Sequence, residues 1–166
     1  MASATMRALL ILAILISGLL AGGNIDRAFV AMPAWQQVGA ISWAEFSRHA
    51  DLGNGLVLYP IEAIGGAALT FAAAIMFHFD RTAPQAATVP MYVAVLFAMG
   101  GLVLTIKAAP IMLSIRSLSE PTALQRAFEG FWYWGNLRAV CQVSAFLAQL
   151  AALAMLLRGN AQVRRQ

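Results

Sequence analysis

Glu62, Lys107 and Arg138 are the residues best placed to do chemistry, because each is a charge set inside an otherwise apolar run. A carboxylate can take a proton, and an ammonium or guanidinium can hold an oxygen that carries or gains negative charge. In hydrocarbon each is costly unless paired, hydrated or able to reach the surface, so each asks for a partner or a purpose. Arg138 follows the block Phe131-Trp132-Tyr133-Trp134-Gly135-Asn136-Leu137 and heads the uncharged stretch Ala139 to Leu157. Aromatic rings with polar tips suit the boundary between water and lipid. Asn24, Asp26 and Arg27 form a second polar group late in another apolar run, and Tyr59 precedes Glu62 by three positions.

The composition says which solvent these residues meet. Of 166 residues, 61% are hydrophobic and only 11% charged, and the mean hydropathy is +0.74. A soluble domain is about one-quarter charged. A chain this short cannot hide so much apolar surface in its own core, so lipid must solvate much of it. The formal charge of +4 and a pI near 10.0 do not point to nucleic acid. Arg158, Arg164 and Arg165 gather at the C-terminal end, where they read as a cytoplasmic topology signal, and no basic stripe runs elsewhere. Cys141 is the only cysteine, which excludes a disulfide scaffold or a dithiol relay.

In chain order, a basic lead ending at Arg7 opens an apolar run that alone resembles a signal peptide, but its helical pattern continues to about residue 31. Further spans are expected at 56–79, 89–113 and 132–157, each near the ~20 residues that cross a bilayer. Gly18 and Gly22 form a GxxxG suited to close helix approach. Pro110 should kink the third span beside Lys107 by leaving the Ile106 carbonyl free. Residues 32–54 and 114–130 are the long polar connections. In the first, Ser42-Trp43-Ala44-Glu45 reads as a capping box opening a short surface helix, and Asp51-Leu52-Gly53-Asn54-Gly55 as a turn. In the second, Ser119-Glu120-Pro121 suits a helix start. The expected fold is all-α: one domain over 1–166, a four-helix membrane bundle with short amphipathic helices in the two outer connections. Arg7, Arg81 and the C-terminal arginines place both termini in the cytoplasm.

That topology carries Asn24, Asp26, Arg27, Glu62, Lys107, Asn136 and Arg138 to one layer in the outer third of the bundle. Helix phase puts Arg138, Gln142, Ala145 and Gln149 on one face, with Asn136 turned away beside Trp132. Tyr59, Glu62 and Gly66 share a face, as do Gly100, Leu104 and Lys107. Pairing Glu62 with Arg138 or Lys107 would make burial tolerable and leave one cation over for a lipid phosphate, a quinone oxygen or an enolate. The plainer alternative is that Asp26, Arg27 and Lys107 reach the headgroups and do nothing else. No metal-ligand spacing, nucleotide loop or nucleophile elbow occurs, and His49 and His78 sit too far apart in the topology to share a haem, so no cofactor is expected.

Trp134-Gly135-Asn136-Leu137-Arg138, together with the Asp51-to-Gly55 turn leading to Tyr59-Pro60-Ile61-Glu62, resembles the anthrone oxygenase-like family of small four-helix membrane proteins. The resemblance covers nearly the whole chain, but its motifs are short. It implies a four-helix membrane fold and, from some fungal members, cofactor-free oxygenation of an anthrone to an anthraquinone. It also resembles bacterial members, which implies the bacterial inner membrane. On this reading Glu62 is the base, and Arg138 with Lys107 the anion site. Asn24, Asp26, Arg27, Tyr59, Trp134, Asn136 and Gln142 would line a pocket for a quinone- or anthrone-like ring or a membrane lipid. The competing expectation is a non-enzymatic subunit that docks, as a homo-oligomer or in a larger membrane complex, through small-residue faces.

Overall fold

The computed structural model describes residues 4–80 and 83–163, the last four by backbone only, so Arg81, Arg164 and Arg165 of the topology argument lie outside the described residues. Six helices account for most of the described chain: α1 (Ala4–Asp26), α2 (Met32–Val38), α3 (Ala40–His49), α4 (Gly55–Phe79), α5 (Gln85–Ser114) and α6 (Pro121–Val163). Four helical stretches are long and apolar enough to cross a membrane. The chain is compatible with an integral membrane protein.

The expected first span reaches further than residue 31. After α1 the helix widens into a π-type turn, Arg27–Ala31, and runs on into α2. Pro33 supplies a reason. It has no N–H for the carbonyl four residues back, and its ring crowds that turn, so the ladder slips by one residue. The Met32 N–H accordingly bonds to the Arg27 carbonyl, five residues back. A second π-type turn, Ala50–Asn54, joins α3 to α4 and breaks helical geometry at Gly53. Between α2 and α3, Gly39 adopts φ 87°, a left-handed value that favours glycine, and ends one helix while starting the next.

The anticipated capping box does not form. Gly39, not Ser42, stands at the start of α3, and Glu45 turns to Arg48 and His49 instead. Pro60, Pro90 and Pro110 all lie inside uninterrupted helices. The second connection contains no separate surface helix, because α6 begins at Pro121 and runs unbroken through the aromatic block for 43 residues. Glu120 caps it, its carboxylate accepting from the Thr122 and Ala123 N–H groups and the Thr122 hydroxyl.

Neighbouring long helices pack α1 on α4, α4 on α5, α5 on α6 and α6 on α1. Ser17 meets Gln149 while Asn24 meets Gln142, so α1 and α6 run antiparallel. The buried face of α5 repeats every seven residues with small side chains at Ala87, Ala94, Gly101 and Ala108, joined by Met91 and Met112. Such a seam lets backbones approach closely where lipid removes the hydrophobic drive for association. Arg48 ties α3 to the far end of α5, donating to the carbonyls of Ile115 at 3.3 Å and Leu118 at 2.6 Å. A cation there also suits the negative end of the helix dipole. In the GxxxG pair, Gly18 receives the Phe146 ring from the same chain, whereas Gly22 has open space beside it.

A Cβ at Gly101 would lie 3.1 Å from the Gln142 Cγ, so Gly101→Leu should destabilise the protein by about 1–3 kcal/mol. Gly22→Ala should be neutral or slightly stabilising. Thermal unfolding of both variants in one detergent checks the contrast. The Thr122 hydroxyl, helped by the Ala123 and Thr122 N–H groups, holds the Glu120 carboxyl below its usual range. The cap is therefore intact above the ordinary glutamate pKa and lost as pH falls through the lowered one. The Thr122 and Ala123 amide NMR shifts should titrate together, with a midpoint below that of a free glutamate.

Candidate functional site

The two π-type turns meet at one end of the helices and create a buried ion pair. The first opens on Arg27 and the second contains Asp51. Arg27 Nη1 and Nη2 donate to Asp51 Oδ1 and Oδ2 at 2.6 and 2.8 Å, a two-pronged pairing that fits the planar fork of the guanidinium. The side chains are only 17% and 6% exposed. The Tyr59 hydroxyl, one helix along, donates to Asp51 Oδ1 at 3.4 Å. Its ring lies against Gly55, where an added Cβ would come within 2.7 Å of it. That close approach lets Tyr59 stand beside the pair.

The Phe131 ring of α6 is buried, with the Arg27 guanidinium carbon 4.9 Å and the Arg138 guanidinium carbon 5.8 Å from its centroid. Both arginines are thus within cation–π range of one ring. They differ in their anions. Arg27 has Asp51, while among the described residues Arg138 has no carboxylate and no hydrogen-bond acceptor. The Nε–H groups of both are buried without partners. A narrow groove touches Asn24, Arg27, Phe131, Gly135, Asn136 and Arg138. It has room for about one water molecule, far less than a fused ring system needs.

Behind the groove a ladder of neutral polar groups continues into the helix core. Asn24 Nδ2 donates to Gln142 Oε1 at 2.6 Å, and Gln149 Nε2 donates to Ser17 Oγ at 3.1 Å and Thr70 Oγ1 at 2.8 Å. These side chains are all buried. The α6 face read from helix phase, Arg138-Gln142-Ala145-Gln149, is therefore the inward face, with Arg138 half-buried at its end.

Other expected members do not converge. Lys107 is exposed, because the small-residue seam of α5 runs through Ala108 and turns Lys107 outward. The inward face is accordingly not Gly100-Leu104-Lys107. Asp26 is exposed as well. Glu62 is half-buried and forms no ion pair with Arg138 or Lys107; nor is it among the residues at the groove. Asn136 does border the groove with Arg138, contrary to the phase argument, because Gly135 between them presents no side chain and lets the groove cross the helix surface. Trp134 is half-buried against the cluster around Phe128 and Phe131, and Trp132 and Tyr133 are exposed. Asp51 was the unforeseen member. Its sequence signal was weak: an acid just before a glycine-rich turn, farther along the chain from Arg27 than Asp26 or Glu45. Among the described residues no three His, Cys, Asp or Glu side chains gather to hold a metal.

No family model, curated protein or solved structure matches the chain.

Removing one member of a buried pair strands the other, so Asp51→Leu should cost about 3–5 kcal/mol. Arg27→Met combined with Asp51→Leu should cost clearly less than the sum of the two single changes. Unfolding of all four proteins in the same detergent gives the coupling directly.

Proposed function

We propose that this is an integral membrane protein, with both termini cytoplasmic, that binds the negatively charged oxygen of a lipophilic molecule at Arg138. The observation that carries the reading is the inventory at the groove: two guanidiniums, one internal carboxylate, and two buried N–H donors without acceptors. An uncompensated guanidinium at this depth is expensive, and an arriving anion relieves that expense. The groove admits an atom or a small group, so the ligand presents its oxygen there while its apolar body stays in the lipid beside Trp132.

The resemblance to anthrone oxygenases adds a chemistry to this site. Loss of a ring C–H proton to Glu62 would produce an enolate whose oxygen rests on Arg138. Dioxygen would then add to the carbanion carbon, one oxygen remaining as the new carbonyl and the other leaving in water. The groove supports the anion-holding half of this scheme. Glu62, half-buried and without a partner, supplies a free base, but one that stands apart from the groove. The size of the groove favours a second reading in which the protein binds an amphiphile as a non-enzymatic membrane subunit.

Purified protein in nanodiscs should bind lipophilic anions about 10- to 100-fold more tightly than Arg138→Gln does, the range expected for charge-assisted hydrogen bonds. Anthrone-dependent O₂ uptake, abolished in Glu62→Gln, would establish the oxygenase chemistry. Binding without uptake supports the second reading, and binding indifferent to Arg138 would sink both.

A further inference from the structure

The groove specifies more than negative charge. Arg27 turns one N–H of each terminal nitrogen to Asp51, and its Nε–H is buried without an acceptor. Arg138 has its whole fork free, including a buried Nε–H. The spare donors therefore belong to two guanidiniums that share the Phe131 ring. Two arginines against one aspartate leave a single positive charge, which a monoanion neutralises. The cavity holds about one water, which bars a headgroup that is bulky on every side. A phosphodiester carries two ester arms around a tetrahedral centre and fits such a slot poorly. A planar carboxylate at the end of an unbranched chain is slim and presents two equivalent oxygens to a guanidinium fork.

The surroundings suit such a tail. Gly135 leaves the α6 surface bare beside Arg138, and the exposed Trp132 flanks it with apolar surface. Asp51 already shows the local chemistry, since it is a carboxylate held two-pronged by one of these two guanidiniums. A second carboxylate at Arg138 would complete two pairs and leave the cluster neutral.

We infer that the Arg27–Arg138 groove takes the carboxylate of a long-chain fatty acid, entering sideways from the lipid with its chain left in the membrane. This rests on the reading of Arg138 as an anion site and names the anion.

The test uses full-length protein in nanodiscs of uncharged lipid, with carboxyl-labelled palmitate as the probe. A separate, saturable carboxyl NMR signal is expected. It should remain ionised at pH values where the palmitate dissolved in the bilayer has become protonated. Hexadecanol should not compete, and hexadecyl phosphate should compete weakly. Arg138→Gln should weaken palmitate binding about tenfold or more, and Arg138→Lys should restore part of it. The titration of the bound signal needs no variant, so it stands even if Arg138→Gln folds poorly. Tighter binding of hexadecyl phosphate than palmitate overturns the carboxylate assignment and leaves the anion site standing. So does Arg138-dependent binding of an anthrone or hydroquinone without palmitate binding. Palmitate binding that ignores Arg138, or no saturable binding of any of these probes, overturns the anion site as well.

Discussion

A guanidinium buried among apolar helices is costly without a carboxylate, and Arg27 finds Asp51. That pair joins two departures from α-helical geometry, each with a local cause: Pro33 behind the first and the glycine-rich return around Gly53 behind the second. The π-type turn at Arg27 changes the direction of its side chain, and the turn at Asp51 brings an acid from outside the main spans to meet it. Tyr59, Phe131 and the groove are arranged around the result. The polar connection is thereby a structural part of the site, fastened at one end by Arg27–Asp51 and at the other by Arg48 on the carbonyls that follow α5.

With Asp51 committed to Arg27, Arg138 is left alone. In water this would mean little. In a half-buried position with a buried N–H it is a desolvated charge with no counterpart among the described residues, which is the basis of the anion site we propose. The neutral ladder of Asn24, Gln142, Ser17, Gln149 and Thr70 behind it has a different role. Its groups bond to one another, with only the buried Gln149 Oε1 left over among them, and draw three helices together without net charge, as polar side chains do between membrane helices.

The four long apolar helices and the inward face of α6 were legible in the sequence, because they follow from composition, run length and the 3.6-residue period. So was the oddity of Arg138, since a charge heading an uncharged stretch has few inexpensive explanations. The small-residue seam of α5 was legible in principle. Ala87, Ala94, Gly101 and Ala108 repeat strictly, but Lys107 drew attention to the adjacent face. The capping box and the separate second surface helix were misread for a common reason. Local motifs compete with longer-range packing, and Gly39 and the continuous α6 prevailed.

The sequence by itself determined that the chain is helical, that four of its stretches are long and apolar enough to cross a membrane and that a few charges must be reconciled with those stretches. These are sums over many residues or rules about single ones. Which charge meets which was decided only by tertiary structure. Pairing depends on a fraction of a helical turn, and a π-type turn, a bare glycine or a one-position offset between Lys107 and Ala108 alters direction by more than that margin. Arg27 thus pairs with an acid from the connection, Lys107 faces outward, Glu62 stands apart, and Arg138 remains the cation with an open hand.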